Sequence, residues 1–505
     1  MANRTREKDP EAQAIIEAGS ESVEWVRQEF ACADLSDKRL DRRLMKTAQH
    51  LARSPASPIN EACGNWASTQ AAYRLFDNPK AAPAAIIEPH IQATVERMAG
   101  CGGPVLVIQD TVFFSYGKHP NTRGLGPIGK SNKAHDRGLV MHNALAFTTS
   151  GVPLGILSQS LWARCAVPEG ESYQEKIERL QVTAIEEKES SKWLVALTET
   201  VERAPPGVAV ITVADRESDF FEFLTHAQEL RAQYLIRART DRKLVPEDSA
   251  GCARMLEALS DAPALGTLAV EVPGNGRRKA RTANIEVRVA QVTIKPPARR
   301  GQARASASLE PVTVTIIGAT EHDAPAGTEP ISWVLLTNLA VKNFESAAEK
   351  VRWYGRRWGI ETWHKVLKSG CKVEDCLLET AERLSRYLAL FSVIGVRLMH
   401  VATLARVQPD RPATEVFSAE EVEALHIRVH KALPPPQPPG LARGRAPARA
   451  PRRSSGTQGR RGAWHDGALA RLDAPVRRCR HPARTQSGLG PHPPGLSDAL
   501  LRASL

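Results

Sequence analysis

Three apolar runs, PVLVIQDTVFFSY (104–116), GLVMHNALAF (138–147) and GVAVITVAD (207–215), narrow the fold more than any other feature of the chain. Each is a stretch of Val, Ile, Leu, Ala and Phe with few polar interruptions, as in a strand buried on both faces. The third leads at once into ESDFFEFL, which has helical spacing. Apolar strands alternating with helices predict a mixed sheet covered by helices, an α/β fold.

Residues 21–80 read as a small helical unit. Trp25, Val26 and Phe30 recur at helical spacing, and LSDKRLDRRLMKTAQHLAR (35–53) starts a second helix with Ser36 or Asp37 as N-cap. Its apolar positions Leu35, Leu40, Leu44 and Leu51 leave Lys38, Arg39, Arg42, Arg43 and Lys46 for an exposed basic face, which is equally what a solvated helix shows. NWASTQAAYRLF (65–76) is a third helix ending at a DNP turn.

Residues 233–340 hold five strand-like runs separated by Gly/Pro turns and read as an antiparallel insertion, with basic loops at GNGRRKARTAN and PPARRGQARAS. A helix is expected over about 345–369. A strongly apolar helix follows over 382–406, with charges expected to keep it out of a membrane. Residues 1–20 read as a disordered start.

The net charge of +12 is concentrated at one end: from Lys431 to Leu505 there are 14 Lys+Arg against 3 Asp+Glu. Basicity is therefore a property of the tail, and contacts of the body with nucleic acid must rest on local patches. The tail also carries 12 of the 35 prolines and no Glu, Asn, Ile, Phe or Tyr. So few large apolar groups cannot offset the entropy of ordering, so residues 434–505 are expected to be disordered, or to be coding DNA read out of frame. Eight cysteines without CxxC pairs or histidines at zinc spacing argue against a disulfide framework or zinc knuckle. With no secretory pattern at the start, the chain reads as a soluble cytoplasmic protein.

Asp110 and Asp215 stand at the ends of apolar strands, where a carboxylate is held rigidly and can reach a metal. Either alone is usually a turn or cap residue. With Glu361 on a helix they form a candidate set for Mg²⁺ or Mn²⁺, hard cations that prefer oxygen ligands. Tyr354, Arg357, Glu361 and Lys368 lie at helix-compatible offsets, a pattern that an amphipathic helix with i,i+4 ion pairs also shows.

The run Y354-GR-R357-WGI-E361-TWHKVL-K368 resembles the hallmark of the DDE transposases of the insertion-sequence-four group, the cut-and-paste enzymes of the transposon-five kind. The resemblance covers roughly residues 21–406, including WVRQEF, AAYRLFDNP, QDT with Asp110, KWLVAL, ADRESD with Asp215 and ISWVLLTN. It implies an RNase H-like catalytic core with a β insertion, preceded by a helical DNA-binding domain. It further implies that Asp110, Asp215 and Glu361 bind two Mg²⁺, replaceable by Mn²⁺, while Tyr354, Arg357 and Lys368 hold phosphates of the transposon end. Arg237 and Arg239 match basic positions near that site. Trp333 matches a residue that stacks on an extruded base as the end forms a hairpin, although a core tryptophan is the alternative. Lys38, Arg39, Arg43 and Arg74 match the end-recognition region.

The implied partners are double-stranded DNA, as transposon ends and target, and a second copy of the chain in a synaptic homodimer. Residues 407–433 would be the remnant of a C-terminal helical dimerisation region. An altered C-terminus makes a DNA-binding inhibitor without catalysis the rival reading. A structure-specific nuclease would leave the Tyr354 to Lys368 signature unexplained.

Overall fold

The computed structural model describes residues 24–129, 136–166, 183–272, 281–297 and 309–417, with isolated residues among 170–179 and 419–441. The expected disordered start, the basic loops over 273–280 and 298–308 and the tail from 442 lie outside the described residues.

The chain opens with α1 (Glu24–Phe30), α2 (Lys38–Arg53), α3 (Ile59–Cys63), α4 (Trp66–Asp77) and α5 (Pro83–Ala99). Asp37 caps α2 by accepting the Arg39 N–H at 2.8 Å, and Asn65 caps α4 by accepting that of Ser68 at 2.9 Å. Each cap satisfies a donor the helix leaves open, worth about 1 kcal/mol. Leu40, Leu44 and Leu51 are buried on one side of α2, so its charges face outward as the spacing predicts. Glu29 on α1 is clamped to α5: it accepts from His90 Nδ1 at 2.6 Å and from Arg97 at 2.9 Å. The Ile156 N–H donates to His90 Nε2, which leaves Nδ1 to carry the proton toward Glu29.

The sheet begins with β1 (Val105–Ser115), β2 (Gly126–Pro127), β3 (Arg137–Thr148) and β4 (Pro153–Trp162). After α6 (Ser191–Arg203) come β5 (Val210–Ala214), α7 (Phe221–Glu229) and β6 (Gln233–Arg237). β4, β3 and β1 pair antiparallel, and β1, β5 and β6 pair parallel, the order of an RNase H-like core. Gly155 lets β4 approach α5: its φ of +150° and the Thr94 side chain leave no room for a Cβ.

The remaining strands, β7 (Ala264–Val272), β8 (Arg281–Ile294), β9 (Val312–Glu321) and β10 (Ser332–Thr337), follow the short helix α8 (Met255–Asp261). They continue the same sheet in the order β6-β10-β9-β8-β7, all antiparallel. This corrects the expected insertion boundary. Gln233–Arg237 is a parallel core strand, and the antiparallel extension starts after it; a five-residue apolar run does not reveal its pairing direction.

Helices cover both faces. On one side, Leu106, Ile108, Ile211 and Val213 pack with α9 (Phe344–Gly355), α10 (Trp358–Lys365) and α11 (Ala381–Val407). On the other, Trp193, Phe223 and Leu224 cover Ile236 and Leu336. By length and composition α11 could cross a membrane, contrary to the expectation from its charges. Yet 83% of its most apolar window is buried inside the fold, as in a core helix.

Two residues of the expected disordered tail are placed. Gly440 bridges to Pro412, and Leu441 is fully buried among Val152, Leu404 and Ala405.

Candidate active site

The parallel register of β1 and β5 ends at Ile108↔Val213. Asp215 then caps the turn Arg216–Ser218, its Oδ1 accepting the Glu217 N–H at 2.8 Å and its carbonyl accepting the Ser218 hydroxyl at 2.7 Å. β1 runs on to Ser115 against β3, so Asp110 lies in mid-strand opposite Asn143 and not at a strand end. It does stand where β5 stops, and so at an opening of the sheet. With period-two alternation, Asp110 shares a face with Leu106 and Ile108, the face covered by α10.

The helix expected over 345–369 is not continuous. α9 ends at Gly355, α10 starts at Trp358, and Val366–Gly370 forms a π turn. Arg356 and Arg357 donate to the carbonyls three residues back, which tightens the chain between the two helices. The four signature residues therefore do not share one open face. Tyr354 is buried with its ring edge-on to Trp333, 5.1 Å between centroids, and its hydroxyl has no hydrogen-bond partner among the described residues. Lys368, on the π turn, lies 3.4 Å from Glu374 and over the Phe114 ring.

Arg357 is the centre of the cluster. Its Nη2 donates to Glu361 Oε1 at 2.5 Å, and its Nη1 lies 3.9 Å from Asp110 Oδ2. Burial raises the Asp110 carboxyl to about 7; Arg357 opposes this, while Asp215 and Glu361 push the same way. Burial also raises Glu361 against the pull of Arg357. Burial is thus the main burden on these carboxylates, and Arg357 is the cation that opposes it at both Asp110 and Glu361. Burial works against the charge of Arg357 itself, but Tyr354, Asp110, Glu361 and Asp215 hold its pKa above the ordinary arginine value.

Sequence reasoning passed over His364. Its Nδ1 lies 3.9 Å from Asp110 Oδ2, and its buried Nε2 has no hydrogen-bond partner among the described residues. Burial, Lys368 and Arg357 push its pKa down to about 3, so the imidazole is neutral. The available signal was its position three residues after Glu361, on the same side of α10.

Arg237 is buried and donates to the Ser332 carbonyl at 3.0 Å, tying β6 to β10. Arg239 is exposed and lines a cleft of about 550 Å³ beside Asp215, with Glu189, Lys192, Arg216 and Glu217. Asp219 fixes this loop: it accepts from the Arg239 N–H at 2.6 Å and from Arg242 at 2.6 Å with its side chain fully buried. Trp333 is only 3% exposed. A stacking platform needs an open ring face, and packing against Tyr354 covers this one. In the N-terminal helices Lys38, Arg39 and Arg74 are exposed and Arg43 is half-buried. Trp66 and Tyr73, 73% and 43% exposed on α4 beside Arg74, carry aromatic surface the sequence reading did not single out.

By donor chemistry the carboxylates suit a hard divalent cation, which would offset the burial and the neighbouring carboxylates that raise Asp110. By spacing they are held apart: among the described residues no three His, Cys, Asp or Glu groups lie close enough to hold one ion. Arg357 occupies that role instead.

Two families match the chain. Residues 22–81 match the transposase DNA-binding family, the unit of α1 to α4 with its exposed basic face. Residues 176–394 match the transposase DDE domain, whose members use divalent metals; the match includes Asp215 and Glu361, while Asp110 precedes it. The matches together cover more than half of the chain and join a DNA-binding unit to an RNase H-like core with an acidic site. The chain belongs to the DDE transposases.

Proposed function

We propose that this transposase is a cut-and-paste enzyme of the insertion-sequence-four group, with Asp110, Asp215 and Glu361 as the metal-binding carboxylates. The observation that carries this reading is the register of β1 and β5, which brings two aspartates to one opening of the sheet beneath the helix that bears Glu361. Two Mg²⁺ ions, or Mn²⁺, would supply Lewis acidity to the attacking oxygen and to the leaving oxygen.

The protein does the rest by holding DNA. Lys38, Arg39, Arg43 and Arg74 grip the terminal repeat through phosphates and groove edges, with Trp66 and Tyr73 adding aromatic surface beside them. Arg357 and Lys368 orient the phosphate to be cut, with the buried Tyr354 beside Arg357, and Arg239 meets the strand from the cleft beside Asp215. The cycle is nicking to a 3′-hydroxyl, attack of that hydroxyl on the opposite strand to give a hairpin, reopening by water, and transfer into target DNA. Residues 21–80 bind the end, 81–406 carry the chemistry, and a homodimer pairs two ends.

The test is incubation of the purified protein with Mg²⁺ and labelled ends of its own element, found from the inverted repeats beside the gene. Hairpin and double-end products are expected. Binding without cleavage would identify an inhibitor, and nicking that ignores the end sequence would identify a general nuclease.

A further inference from the structure

Arg357 reaches both Glu361 and Asp110, and it is placed there by the chain itself. It precedes Glu361 by one helical turn at the start of α10, where an i,i+4 pair closes without strain. Its side chain is 4% exposed, against 17% for Asp110 and 30% for Glu361, so the guanidinium sits inside and the carboxylates face outward.

A guanidinium and a divalent cation held by the same carboxylates weaken each other's hold on them. Like charges a few ångströms apart in a partly dry site repel strongly. Two divalent ions would more than neutralise three carboxylates, which leaves Arg357 surplus and in need of a new anion. A DNA phosphate is the anion that a planar five-donor group suits best.

We propose that Arg357 and the divalent metal compete for Glu361 and Asp110, so that the metal site forms fully only when a DNA phosphate takes the guanidinium. The inference rests on the assignment of Glu361 and Asp110 as metal ligands. It makes Arg357 a positioning residue that couples the two ligands: DNA tightens metal, and by linkage metal tightens DNA by the same factor. Without DNA the site holds metal weakly, which restrains hydrolysis by the free protein.

The test reads Mn²⁺ binding by electron paramagnetic resonance of the full chain, first alone and then with a pre-cut double-stranded transposon end, which lacks the bond to flanking DNA. For wild type, DNA is expected to raise Mn²⁺ affinity about tenfold, within the usual range of such coupling. Without DNA, Arg357→Gln is expected to bind Mn²⁺ about tenfold more tightly than wild type and to gain little more from DNA. A merely structural role would lower affinity, not raise it. Arg357→Lys, which keeps the charge, should stay weak without DNA.

Equal Mn²⁺ affinity of DNA-free wild type and Arg357→Gln would overturn the proposal. If the Gln variant does not fold, equal affinity of wild type with and without DNA overturns it instead. Glu361→Gln separates the underlying assignment: if that variant binds Mn²⁺ like wild type in the presence of DNA, Glu361 is not a ligand and the site reading itself fails.

Discussion

Asp110 and Asp215 each stand two residues beyond the last parallel pair of β1 and β5, Ile108 and Val213. β5 stops there because Asp215 turns to cap its own 3₁₀ turn, while β1 continues against β3. The opening between the two strands places carboxylates beside Arg357 without either lying in a flexible loop. The arrangement suits a site whose ligands must be rigid before substrate arrives.

Asp110→Asn should abolish cleavage and leave end binding within about twofold. Because it removes a buried carboxylate from a site crowded with others, it should also stabilise the metal-free protein by about 1–2 kcal/mol. A calorimetric melting temperature above wild type, together with no product, is the expected pair of results. A lower melting temperature would mean that the charge is not a burden.

Asp219→Ala removes one side of a buried ion pair, leaves Arg242 uncompensated and frees the loop that carries Arg239. A loss of about 3–5 kcal/mol is expected. Urea unfolding measures it, and a loss below 1 kcal/mol would show that the loop stands without this pair.

Burial works against ionisation of Glu29, but His90 and Arg97 more than offset it and hold its pKa at about 2. A carboxyl depressed on folding contributes stability that is present above its unfolded value of about 4.5 and lost as pH falls toward 2. Acid unfolding followed by circular dichroism should therefore steepen between those values. Glu29→Gln should flatten that window and cost about 2–3 kcal/mol at neutral pH.

Trp333→Ala should cost about 3–5 kcal/mol, since the ring is packed against Tyr354 in the core. Trp333→Phe should cost far less. If Ala instead leaves stability unchanged and slows hairpin formation alone, the ring is free to stack on DNA and its burial here does not describe the working state.

Arg39→Ala and Arg74→Ala should each weaken end binding and lower the slope of log affinity against log salt by about one. Fluorescence anisotropy across a salt series gives that slope. An unchanged slope would place the residue away from phosphate.

The element types came from local information, and the choice of the acidic residues from the family resemblance. Apolar runs of Val, Ile and Leu specify strands, Asp37 and Asn65 specify helix starts, and the spacing from Tyr354 to Lys368 specifies a helical signature. Neighbouring residues alone carry that information. Pairing is different, because it depends on segments far apart in the chain. Only the assembled sheet decided that Gln233–Arg237 is a parallel core strand, that Asp110 lies in mid-strand, and that the helix breaks at Arg356 and Arg357. Burial is likewise a property of the whole. The same Trp333 that reads as a platform in one dimension becomes core once Tyr354 packs on it, and Arg357, read as a phosphate contact, meets Glu361 one helical turn on.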